Sequence, residues 1–217
     1  MFSRPVWICV LLWTSWSALW GCTGGAGSGS TGSTGGSTGS TASGPVVLFQ
    51  LDGGTFGHPW PSDLDVGSDG FIRLALPNRK ANPLLGGYQT LAATHLTGFS
   101  TTGAVYFRLS EAVDAASIGG ALALVDVDPR SPERGRKVPL KWHLNANATD
   151  YWTENTLAVA PMDGFPLRPN RTYACVVTTS LKASTGTAFG ADLELQAELQ
   201  GQGDPKGRAL HQAVLPT

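Results

Sequence analysis

The sequence predicts an all-β fold, an antiparallel β-sandwich with Gly/Pro-rich loops and a few short helices. Three observations lead there. Short apolar or alternating runs recur along residues 45–217. The 14 prolines and 28 glycines of the 217-residue sequence punctuate those runs. No long stretch carries a clean 3.6-residue apolar period, so strands with turns between them fit better than a helix-covered parallel sheet.

The elements follow in order. Val46–Leu51 is a nearly continuous apolar run, and Phe71–Leu76 sits between Gly70 and Pro77. Ala104–Leu109 places Val105, Phe107 and Leu109 on one face. Ala121–Val127 follows Gly119-Gly120. Val138–Leu144 alternates, with Val138, Leu140, Trp142 and Leu144 facing the core and Lys141 and His143 facing out. Thr156–Ala160 ends at Pro161. Thr172–Thr179 is the strongest strand, with Tyr173, Cys175 and Val177 on one side. Asp192–Leu199 fits a strand or a helix, and the alternation of Leu193, Leu195, Ala197 and Leu199 with polar residues favours the strand. Short helices are expected near Tyr88–Ala93 and Asp204–Val214. A single turn within Glu111–Ile118 is expected to be capped by Asp114.

Residues 1–21 read as an export signal. Arg4 precedes an apolar core from Val6 to Trp20 that is too short and too interrupted to span a bilayer comfortably. Residues 23–44 contain only Gly, Ser, Thr and Ala, which bury nothing that would offset the entropy of ordering them. Such a chain has an r.m.s. span of about 25 Å. The folded domain is then 45–217, enough for one sizeable core.

Leu19-Trp20-Gly21-Cys22 resembles the lipobox of bacterial lipoproteins, apart from Trp20, where a small residue is usual. The resemblance implies signal removal before Cys22, lipidation of Cys22, and 22–44 as a lipidated tether. Acyl chains contribute about 0.8 kcal/mol per buried methylene, so the expected partner is a membrane held through the N-terminal lipid. Thr23 after the cysteine implies, by the same resemblance, the outer membrane of the cell envelope.

FPLRPNRTYACVVTTSLKASTGTAFG, residues 165–190, resembles the end of a bacterial Ig-like domain of the S-layer and surface-protein type, through Leu167, Pro169, Tyr173, Val177, Thr178, Lys182 and Gly186. Residues 99–118 resemble its opening. The resemblance makes the expected sandwich Ig-like. The span from Pro59 to Gly190 is also similar to the N-terminal region of large exported myxobacterial lipase-like proteins. Those relatives continue where this chain reaches Thr217, so a short member and a truncated frame are both open.

Chemistry is sparse. Fifteen Lys and Arg against 16 Asp and Glu leave a net charge of −1, and no basic cluster exceeds Arg134–Lys137, so nucleic acid is not an expected partner. Cys9 leaves with the signal and Cys22 carries lipid. Cys175 is left alone as a buried, inert thiol. Outside the Gly/Ser/Thr tract of residues 23–44 there is no G-x-S-x-G elbow: Ser100, in GFSTTG, precedes a strand and reads as a turn hydroxyl. His58, His95, His143 and His211 lack metal-ligand spacing. Asp63, Asp65 and Asp69, and separately Asp126 and Asp128 with Glu133, are weak calcium candidates, since calcium takes six to eight oxygens. The plainer reading of each cluster is a salt-bridged surface loop. No cofactor is expected. Trp60, Trp152 and Tyr151, in loops, are the candidate ligand contacts, because aromatic rings offer large area at low entropic cost.

The expected function is therefore a non-catalytic binding or structural module on an envelope lipoprotein, meeting a cell-surface protein or polysaccharide. The alternative is an accessory domain of an exported lipase-like or depolymerase-like serine hydrolase whose catalytic part lies outside this chain.

Overall fold

A computed structural model describes residues 6–12, 44–51, 53, 56–74, 81–149, 152–200 and 202. Their strands are β1 (Val6–Leu12), β2 (Val46–Val47), β3 (Val105–Arg108), β4 (Leu122–Asp126), β5 (Leu140–Asn145), β6 (Thr156–Pro161), β7 (Thr172–Thr178) and β8 (Gly190–Ala191). Their helices are α1 (Pro83–His95), α2 (Ala115–Ala121) and α3 (Leu193–Leu199).

β3, β6 and β5 form one antiparallel sheet in that order, with Phe107 opposite Leu157 and Trp142 opposite Val159. β4 pairs antiparallel with β7, and β1 pairs parallel along the other side of β7, Val6 opposite Thr172. β2 and β8 make a short parallel pair. The period of two sorts side chains between faces in both larger sheets. Val105 and Phe107 from β3, Leu157 and Val159 from β6, Leu124 from β4, and Tyr173, Cys175 and Val177 from β7 share one core with Ile118, Leu181 and Phe189. Burying each such Val, Leu, Ile or Phe side chain contributes about 1.5–3 kcal/mol. A second apolar group, Val127, Ala174 and Val176, lies on the opposite face of β4 and β7.

The expected all-β Ig-like sandwich does not form. The described residues make a mixed fold of helices and three small sheets that do not close into a sandwich or barrel, and two of the strand pairs are parallel. Asp192–Leu199 accounts for part of the difference. Its alternation predicted a strand, but Leu-Glu-Leu-Gln-Ala-Glu-Leu consists of strong helix formers without a β-branched residue. Asp192 caps it, its carboxylate accepting the Glu194 amide at 3.1 Å, and Leu195 turns into the core. α1 runs further than the helix predicted near Tyr88–Ala93, because Asn82 caps it and Pro83 occupies its first turn. Asp114 caps α2 as predicted, accepting from the Ala116 amide at 3.0 Å. That helix continues through Ala121, so β4 starts one residue late.

Other expectations are trimmed. Of Val46–Leu51 only Val46–Val47 is strand, and of the Phe71 run the described part holds one isolated bridge, Val66 to Ile72. Trp142 was expected in the core and is 39 % exposed. It stands on β5, which among the described residues pairs only with β6 and so forms a sheet edge. Cys22, the tether up to residue 43, Tyr151, His211 and the helix expected at Asp204–Val214 lie outside the described residues. β1 falls within the tract read as an export signal.

Candidate functional site

Tyr106 stands on β3 between Val105 and Phe107, so it points away from the core that those two enter. With it, four further aromatic rings make a cluster of five. Trp152 stacks on Tyr106 with centroids 4.5 Å apart and planes 26° from parallel. Phe56 lies 5.7 Å from Trp152, 6.3 Å from Tyr106 and 6.4 Å from Trp60. Trp60 meets Phe99 edge to face at 6.0 Å. All five are half-buried.

Backbone contacts fix the cluster. The Trp60 amide donates to the Tyr106 carbonyl at 3.2 Å, and the Tyr106 amide donates to the Trp60 carbonyl at 2.8 Å. The Trp60–Pro61 peptide is cis. The loop before it doubles back tightly: the Gln50 amide donates to the Gly57 carbonyl at 2.8 Å. A side chain on Gly57 would lie 2.6 Å from the Gln50 carbonyl oxygen and from the Gly53 Cα, which is why glycine is needed there. Phe56 holds a left-handed backbone at φ 63°, a conformation that costs a non-glycine residue free energy and recurs at functional sites. Trp152 is held by two bonds to Thr149, from its amide to Oγ1 at 3.0 Å and from the Thr149 amide to its carbonyl at 2.8 Å.

Of the predicted ligand contacts, Trp60 and Trp152 are thus brought to one place through Phe56 and Tyr106. Strand parity in the sequence alone marks Tyr106 as outward-facing. Nothing in one dimension marks Phe56 or Phe99.

The predicted carboxylates have protein partners. Asp65 accepts from His58 Nε2 at 3.3 Å and from the Ser62 amide at 3.2 Å. Asp69 accepts from Arg73 Nη2 at 2.6 Å, and this bond, with one from the Phe71 amide, holds its carboxyl below the usual range. His58 Nδ1 is buried without a hydrogen-bond partner.

Asp126 and Asp128 do not sit in the exposed loop that the plainer sequence reading expected. They are 2 % and 0 % exposed. The chain turns inward at Asp126-Val127-Asp128, because the Asp126 carboxylate accepts from the Asp128 amide at 3.0 Å and from Ser131 Oγ at 2.6 Å. Asp128 accepts from the Arg130 amide at 2.8 Å and from its guanidinium at 3.2 Å. Burial opposes the charge on Asp128, but Arg130 outweighs it and keeps the carboxyl below its ordinary value. Glu133 pairs with Arg136 and with Arg168 Nε, the latter at 2.6 Å. Asp126, Glu133, Arg136, Arg168 and Tyr173 line a cleft of about 260 Å³ with Leu167. Burial raises the Tyr173 phenol, whose oxygen accepts the Arg168 amide at 3.0 Å. No group of three or more His, Cys, Asp or Glu side chains among the described residues is placed to hold a metal ion.

Ser100 Oγ bonds the Thr102 hydroxyl at 3.3 Å and accepts the Thr102 amide at 3.2 Å, a turn within its own loop. Cys175 is buried, and burial pushes its thiol up to about 12, so it carries no thiolate at neutral pH.

No known family and no curated protein matches the chain. Among solved structures, domains 1–6 of the surface layer protein SbsC are similar at 18 % identity over 42 % of this chain, with a TM-score of 0.29. The match spans 11 % of that protein. It is a weak, partial likeness to an S-layer-type surface protein.

Proposed function

We propose that this chain is a cell-envelope lipoprotein anchored through Cys22, whose folded part is a non-catalytic module that binds a surface polysaccharide at the Phe56–Trp60–Tyr106–Trp152 cluster. The convergence of these rings carries the reading. Two tryptophans far apart in sequence, with a tyrosine and a phenylalanine between them, gather half-buried on the outer side of a sheet whose inner side is core. Aromatic faces offer sugar rings large apolar area, and the indole N–H and phenol O–H offer hydrogen bonds at its border. The Leu19–Cys22 motif and the Gly/Ser/Thr tract supply the anchor and the reach. The experiment is a titration of the chain with purified envelope polysaccharide, followed by tryptophan fluorescence. Saturable quenching that Trp152→Ala removes is the expected result. Unchanged emission with every polysaccharide fraction would overturn the reading.

A further inference from the structure

β7 is built as an interior strand. Its sequence, TYACVVT, holds no charged residue and no proline. It is apolar on both faces: Tyr173, Cys175 and Val177 enter the main core, and Ala174 and Val176 join Val127 on the other side. Every residue from Tyr173 to Val177 is buried. Natural sheet edges are guarded by charges, prolines or short length. β5 follows that pattern, standing at an edge with Lys141 and His143 exposed. β7 has none of these guards.

Its two neighbours are β4 and β1. β1 runs parallel to it over its whole length, from Val6 opposite Thr172 to Leu12 opposite Thr178. Processing before Cys22, proposed above, takes β1 away. One side of the β7 backbone, from Thr172 to Thr178, then loses its partner. Buried backbone N–H and C=O groups need partners, and an open row of them is a template for pairing with another chain.

β1 also defines the chemistry of an occupant. Its sequence, VWICVLL, is uncharged and apolar at every position. A strand beside β7 extends a sheet that is apolar on both faces, so a strand with alternating polar residues would leave one face mismatched. An uninterrupted apolar run is what such a position takes.

We infer that the processed domain is a strand acceptor. The side of β7 that β1 occupies takes an extended, uninterrupted apolar segment from a partner protein of the envelope, held by main-chain pairing. The inference rests on the processing proposed above, whereas the slot itself rests on the pairing of β1 with β7.

The test is hydrogen exchange on the native protein, after its N-terminus is read by mass spectrometry. The probe is a synthetic peptide of residues 5–13 with Cys9→Ser and a lysine tail for solubility. In the processed chain, saturating peptide is expected to slow the β7 amides that face away from β4 by about tenfold or more, and to leave those facing β4 unchanged. The same peptide with Ile8→Asp and Val10→Asp should protect nothing. An apolar peptide that gives no protection to a processed chain would overturn the inference and leave the anchor standing. Protection without peptide would also overturn it. If it grows with protein concentration, the slot belongs to a second copy; if it does not, another segment of this chain fills it. A native chain that keeps Met1 removes the processing and with it the partner strand. The slot is then decided separately by the full chain carrying Cys9→Pro/Val10→Pro. Successive amides of a strand point to opposite sides, so one of these prolines removes a bond to β7. Peptide protection of β7 in that variant is expected, and its absence would show that β7 accepts no strand in trans.

Discussion

Trp152 stacks on Tyr106 at 4.5 Å while the Tyr106 backbone exchanges two hydrogen bonds with Trp60. One strand residue thereby joins two loops that are remote in sequence. Trp152→Ala removes the stack and the Phe56 contact together. The expected stability loss is about 1–2 kcal/mol, from an aromatic pair of about 0.5–1.5 kcal/mol plus part of its buried area. Chemical denaturation measures it, and polysaccharide binding should fall at least tenfold in the same variant. Intact binding would place the ligand elsewhere.

Gly57 sets the path of the loop that delivers Phe56 and Trp60. Gly57→Ala puts a methyl against backbone atoms 2.6 Å away, which cannot yield as a flexible side chain would. The loop must move, and a loss of about 1–3 kcal/mol is expected for such overpacking. The tryptophan emission should change with it. A variant with wild-type stability and emission would show that the turn does not position the cluster.

Asp128 links stability to pH. Its folded carboxyl titrates below its ordinary value, so its contribution is present above the unfolded value near 3.8 and is lost as pH falls through the lower, folded one. Asp128→Ala leaves the part-buried Arg130 amide without its acceptor and is expected to cost about 1–3 kcal/mol at neutral pH. Once pH has fallen below the folded carboxyl's own lowered titration, the two proteins should converge in stability. A gap that persists there would mean that packing, and not charge, accounts for the loss.

β1 falls within the tract expected to act as an export signal, so on the proposed function processing before Cys22 would remove the parallel partner of β7. The β7 amides that face β1 should exchange with solvent faster in the processed chain than in a chain retaining its N-terminus. Those facing β4 should stay protected, since that pairing remains. Hydrogen exchange resolves the two sets. Equal protection of both in the processed chain would mean that another segment takes the place of β1.

Much of this was legible in one dimension where a local rule agreed with the tertiary outcome. β3, β6 and β7 were visible because alternation, β-branched residues and flanking turn signals agree there. The Asp114 cap was visible because its chemistry is local. Leu193–Leu199 was misread because its alternation is also compatible with a helix, and helix propensity decided the outcome. Trp142 was misread because a period shows which residues share a face but not whether a neighbour covers it. The burial of Asp126 and Asp128 was hidden for a related reason: the serine, arginine and backbone amides that compensate it lie in a turn whose geometry the charges alone do not reveal. At the candidate site, Trp60 and Trp152 stood out as loop aromatics. Phe56 and Phe99 did not, since their meeting depends on how distant loops return to β3.

A lipid on Cys22 is what would make this domain an envelope module, and intact-mass spectrometry of the native protein tests it most directly. The expected mass shows the loss of residues 1–21 and the gain of acyl groups. A native chain that keeps Met1 and carries no acyl mass would contradict it.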